Sequence, residues 1–242
     1  MRKQIAAAVL AGLAMLAGNA ALADGMARGS IKDAPIAVST WSGFYLGAGV
    51  GYGHLIGQNN YSDDTPFTSS RTNEGAAGGL GTIVLGFDRQ VRERYVVGLF
   101  TEFDWSNIEL QDTDSVAGTN NFSLRTAYSI GARAGYLMTP TSLLYMTAGY
   151  SWANIKSDGF FDIVNDTDPT DFVLGKASVN LSGAFIGLGM ETQLTSHVSL
   201  RGEVRYTMFG EVTTNSGTLP ISGVTFSDKM VADLLTGRIA VV

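Results

Sequence analysis

Residues 41–53 read WSGFYLGAGVGYG, and they alternate with a period of two. Phe44, Leu46, Ala48, Val50 and Tyr52 fall on one side, and Tyr45, Gly47, Gly49 and Gly51 on the other. Successive side chains of a strand point to opposite faces, so this stretch has one bulky apolar face and one thin face. An ordinary half-buried strand also alternates. The segment decides the fold only if its pattern recurs.

It recurs seven times. About 79–87 sets Ile83, Leu85 and Phe87 against Thr82, Gly86 and then Asp88. About 95–106 sets Val97, Leu99, Phe103 and Trp105 against Gly98, Glu102, Asp104 and Ser106. About 122–138 sets Leu124, Tyr128, Ile130, Ala132 and Tyr136 against Arg125, Ser129, Gly131 and Arg133. The stretches near 143–155, 181–192, 198–209 and 230–242 repeat the pattern, the last most weakly. The connections 88–94, 139–142 and 193–197 are short, whereas 54–78, 107–121, 156–178 and 210–229 are long and polar. Strands of 9–17 residues, with short turns at one end and long loops at the other, predict an all-β fold. Its form is an eight-stranded antiparallel up-and-down transmembrane β-barrel. A soluble β-sandwich has no reason to sort its connections by length, and a lipocalin-like barrel would turn its apolar set inward.

The aromatics agree. Phe44, Phe87, Tyr95 and Tyr136 gather at the short-turn end of the apolar face. Tyr52, Phe103, Trp105, Tyr150, Trp152 and Tyr206 gather at the long-loop end, and Val50, Leu99, Ile130 and Ile186 lie between. Two aromatic girdles around an aliphatic belt match the two interfaces of a membrane.

Composition narrows the function. The 242 residues are 45% hydrophobic and 16% charged, with 30 glycines and no cysteine. Thiolate metal sites and cysteine nucleophiles are excluded. The net charge of −6 argues against nucleic acid, which wants a basic face. Arg2 and Lys3, the apolar run from Ile5 to Leu16, and Ala21-Leu22-Ala23 read as a secretory signal cleaved after Ala23. Residues 24–40 read as a periplasmic leader and 41–242 as the barrel domain. The expected location is therefore the outer membrane of a Gram-negative bacterium.

WSGFYLGAGVGYG, placed after a signal and a short leader, resembles the first strand of the small alphaproteobacterial outer-membrane barrels. These are called porin-family or outer-membrane immunogenic proteins, with an OmpA-like eight-stranded barrel domain. The glycine-rich stretch ending in Glu191, followed by SHVSLRGEVRYTMFG, resembles that family's sixth and seventh strands, and TGRIAVV the start of its last. The resemblance covers roughly 41–242 and speaks to fold and location, not to an activity. The family usually ends in an aromatic-x-Phe signal read by the outer-membrane assembly machinery. Here the last residues given are Ala240-Val241-Val242.

The thin face is where chemistry would sit. It offers Glu102, Asp104, Glu191 and Glu203 alongside Arg125, Arg133, Arg201, Arg205 and Arg238. An eight-stranded barrel is just wide enough inside for side chains to fill. The expected role of these groups is an ion-pair network that closes the lumen, in a barrel with a structural and surface-interaction role. The alternative is a narrow diffusion channel for small solutes; an outer-membrane lipid-modifying or proteolytic enzyme is a minor one. His54 and His197 fall at opposite ends of the barrel, so no histidine relay is expected, and neither is a cofactor. Asp166, Asp168 and Asp171 have a loosely calcium-like spacing but lack the glycine and terminal glutamate of the helix-loop-helix site. The four long segments together carry −9. The partners expected are outer-membrane lipid, lipopolysaccharide, the assembly machinery, and extracellular molecules meeting loops 54–78, 107–121, 156–178 and 210–229.

Overall fold

The computed structural model describes the backbone of residues 41–63, 69–114, 118–163, 172–218 and 225–242. Side chains at 58–74, 110–122, 157–177, 179, 213–228 and 230 lie outside the described set. The signal, the leader and Asp166, Asp168 and Asp171 also lie outside it.

Among the described residues, nine strands form one sheet. They are β1 (Gly43–Asp63), β2 (Ser69–Val91), β3 (Tyr95–Asp114), β4 (Gly118–Thr139) and β5 (Ser142–Ile163). β6 (Phe172–Gln193), β7 (Ser199–Phe209), β8 (Val212–Thr218) and β9 (Thr225–Val241) follow. Each pairs antiparallel with its sequence neighbour as far as β7, which pairs with β9, and β9 pairs with β1. Closure satisfies the backbone without an edge, as lipid requires. The short β8 continues the line of β7 along the far half of β9, so β7 and β8 together make one of eight wall positions. The β6–β7 ladder ends at Gly183–Phe209.

The register sets the tilt. A row begun at Leu46 passes through Leu85, Thr101, Ile130, Tyr150, Ala184, Met208 and Asp233 and returns to β1 at Ile56, ten residues on. Such a stagger tilts the strands by the roughly 35–45° usual in barrels.

The long connections differ from expectation. Most of their residues continue the strands: β1 runs to Asp63 and β2 starts at Ser69, where a loop over 54–78 was expected. The same holds for 107–121, 156–178 and 210–229, and the strands reach 23 residues instead of at most 17. Polar composition there marks strands that have left the lipid, because paired strands in water need no apolar outer face.

The interior has an apolar plug at that end. Leu55, Ile108, Leu124, Ile155, Leu181, Phe209 and Leu234 are its largest buried members. A smaller cluster at the short-turn end gathers Val96, Leu137, Leu143 and Tyr145 around Trp41, whose Nε1 donates to the Pro140 carbonyl at 3.2 Å. Charged side chains occupy the space between.

Candidate functional site in the barrel lumen

Strand alternation puts residues i, i+2 and i+4 on one inner face. Arg201, Glu203 and Arg205 therefore line up on β7, Glu102 and Asp104 on β3, and Thr236 and Arg238 on β9, all buried. They sort into two tiers.

The tier nearer the short turns centres on Glu191. Its Oε2 accepts from Arg133 Nη1 at 2.7 Å and from Arg201 Nε at 2.9 Å, and its Oε1 accepts from the Ser199 hydroxyl at 2.6 Å. Arg133 also forks onto Asp88, with Nε donating to Oδ1 at 2.9 Å and Nη2 to Oδ2. Tyr45 and Tyr145 flank both guanidiniums, at 4.7 to 5.7 Å from ring centre to guanidinium carbon. Ring faces attract cations, so the aromatic pair stabilises the charges.

The second tier centres on Glu102. Its Oε2 meets Arg205 Nη1 at 2.6 Å, and its Oε1 meets Arg238 Nη1 at 2.7 Å and accepts from the Thr82 hydroxyl at 3.0 Å. Arg205 Nη2 pairs with Glu203 at 2.7 Å and Arg238 Nη2 with Asp104 at 2.9 Å. Arg205 lies over Phe185 at 4.3 Å. Room for these heads comes from glycines on the neighbouring strands: a Cβ on Gly51 of β1 would meet Arg238 Cγ at 3.1 Å, and one on Gly187 of β6 would meet Glu203 Oε1 at 3.0 Å. Between the tiers a cavity of ≈ 20 Å³ remains, bordered by Val84, Phe100 and Thr147 among others. That is room for about one water molecule.

Eight of the nine expected lumen residues thus face inward: Glu102, Asp104, Arg133, Glu191, Arg201, Glu203, Arg205 and Arg238. Arg125 does not. One extra residue on β4 between Leu124 and Thr126 exchanges the two faces there. Leu124 turns inward into the apolar plug, against its expected outward position. Arg125 turns outward to an exposed ion pair with Glu109 at 3.5 Å. Asp88 joins the network in its place, so five acids face four arginines instead of four facing five. Asp88 is the polar step after Phe87 in the sequence pattern, and β2 continues four residues beyond the expected end at 87, to Val91.

The outer wall carries the aromatics. Phe44 and Phe87 touch at 4.9 Å and Tyr95 and Tyr136 at 5.5 Å near the short turns. Tyr52, Phe103, Trp105, Tyr150 and Trp152 are exposed near the hairpins, together with Tyr128. Tyr206 is half-buried, its hydroxyl donating to Asp233 at 2.7 Å. His54 is exposed on β1 and His197 lies in the β6–β7 turn beside the Ser196 hydroxyl at 2.9 Å.

A closed antiparallel wall that is apolar outside and charged inside, with short turns at one end, defines a bacterial outer-membrane β-barrel. The chain belongs to the outer membrane protein beta-barrel domain family, whose profile matches residues 6–226. It is 24% identical over 185 residues to the 31 kDa outer-membrane immunogenic protein of Brucella melitensis, covering 74% of this chain and 75% of that one. It is 29% identical over 177 residues to the 22 kDa outer membrane protein of Rhizobium leguminosarum bv. viciae, covering 73% and 68%. Among solved structures it is similar to Ail, the attachment invasion locus protein of Yersinia pestis, at 13% identity and a TM-score of 0.33 over 81% of this chain and 99% of that one. It is also similar to OprG of Pseudomonas aeruginosa, at 9% identity and a TM-score of 0.46 over 85% and 98%. Its relatives place it in the outer membrane.

Proposed function

We propose that this protein is a non-conducting outer-membrane barrel that stabilises the envelope and presents its hairpins outside the cell. The observation carrying this reading is the doubled ion-pair tier: in each, one glutamate bridges two arginines drawn from different strands. Apolar clusters sit at both ends of the stack, and the gap between tiers holds about one water. A passage for solutes would have to break several charge-assisted bonds at once. Export by the N-terminal segment, with cleavage behind Ala23, belongs to the same reading, as do extracellular partners met by the acidic hairpins. A barrel that catalyses nothing is supported by the relatives' names, an outer-membrane immunogenic protein and an outer membrane protein, which carry no enzyme activity.

The test is single-channel recording of the mature protein in a planar bilayer. We expect no steady current in the unmutated barrel and brief, small openings in Glu102→Ala, which frees Arg205 and Arg238 together. A stable ohmic conductance in the unmutated protein would replace this reading with the diffusion channel.

A further inference from the structure

Large apolar side chains cover most of the outer wall, but on β4 and β5 they give way to alanine. Two adjacent rows of the ladder run Phe87, Leu99, Ala132, Ala148, Ile186 and Arg89, Val97, Ala134, Met146. Three alanines meet at the centre and larger residues stand around them, hollowing the wall into a trough of ≈ 610 Å³. Its size falls in the roughly 300–1,000 Å³ range of ligand sites.

The short-turn end of this trough is cationic. Arg89 lines it, exposed on the outer face, and makes no hydrogen bond or ion pair among the described residues. One row nearer the turn, Tyr95 and Tyr136 meet edge to face, and Arg94 Nη1 donates to the Tyr136 hydroxyl at 3.0 Å. A guanidinium has five N–H donors, so Arg94 keeps others for a ligand. Among the described residues, every exposed full charge at this end belongs to the same segment: Arg89, Arg92, Glu93 and Arg94, a net +2. The turns over 139–142 and 193–199 carry none.

We propose that this trough binds one anionic phospholipid of the periplasmic leaflet. An acyl chain lies over Ala132, Ala134 and Ala148, and the phosphate is held by Arg89 and Arg94. Bulk lipid coats any barrel wall. Here larger side chains border the alanines, and two guanidiniums stand at the short-turn end, where arginine's fork fits a phosphate. A second copy is the competing occupant. Barrels in one membrane share an orientation, so two copies joined at this face would bring two net-positive turns together, which like-charge repulsion opposes.

The experiment is native mass spectrometry of the mature protein released from nanodiscs containing equal phosphatidylglycerol and phosphatidylcholine. We expect one phosphatidylglycerol to be retained and phosphatidylcholine to leave. Arg89→Gln combined with Arg94→Gln should lower that retention roughly tenfold or more. Ala148→Phe should displace the lipid by filling the trough, with Ala134→Leu in its place if Ala148→Phe does not fold. The gel mobility of the boiled and unboiled protein shows whether each variant is folded. Equal retention of the two lipids, or unchanged phosphatidylglycerol retention in either folded variant, would overturn the proposal. So would a lipid-free dimer that Ala148→Phe separates.

Discussion

Glu191 and Arg125 show how differently one ion pair weighs inside and outside this wall. Glu191 is buried and accepts from Arg133, Arg201 and Ser199. Arg133 is buried as well, and its removal leaves Asp88 unpaired and Glu191 short of a donor. Loss of one partner from a dry pair costs about 3–5 kcal/mol, because a charge is left uncompensated. Arg125 and Glu109 are 51% and 44% exposed, and such a surface pair contributes about 0–1 kcal/mol. Arg133→Ala should therefore lower the urea midpoint of the folded barrel far more than Arg125→Ala. Equal midpoints for the two variants would mean that the inner tier is hydrated and soft.

At the level of the strand, the β4 irregularity decides which face a residue serves. From Leu137 back to Ala127 the odd positions face the lumen; beyond the extra residue the even-numbered Leu124 is buried. A slip of one position moves a whole hydrophobic set to the other face, so the shift is specified by burial and not by chance pairing. The chain has no native cysteine, so single cysteines report orientation cleanly. Arg125→Cys should react with a membrane-impermeant maleimide on whole cells, while Leu124→Cys and Ala127→Cys should be protected. Labelling of Ala127→Cys but not Arg125→Cys would place the face exchange elsewhere.

For the whole molecule, closure is the dominant fact. β9 pairs with β1 over sixteen positions, from Ala48–Val241 to Asp63–Phe226, so first and last strands are locked along the full wall. A closed sheet has no edge from which to unzip. The unboiled protein should migrate differently from the boiled protein in a detergent gel, and it should fractionate with the outer membrane with Asp24 at its N-terminus. Identical mobilities, with recovery in the soluble periplasm, would contradict the closed barrel.

The sequence by itself determined the strand class, the membrane-facing side and the family. The first two rest on period two, on an apolar set concentrated on one parity, and on connection length, all of which are local properties; the family rests on the resemblance carried by WSGFYLGAGVGYG and SHVSLRGEVRYTMFG. Period two is readable in Phe44 to Tyr52 alone, and its recurrence along the chain makes it a barrel pattern. Eight inward charges followed from the same parity. Three things needed the tertiary structure. Arg125 required the extra residue on β4, since parity counted along one strand does not register an irregularity in its pairing. The extension of the strands past Tyr52 and Trp105 required the ladder, since outside the lipid a strand loses the apolar face that marks it in sequence. The division of the charges into two tiers, with Glu191 and Glu102 as hubs, required the ten-residue stagger of the closed sheet. That stagger brings Arg238 of β9 beside Glu102 of β3, 136 positions apart along the chain, and no local pattern contains such a pairing.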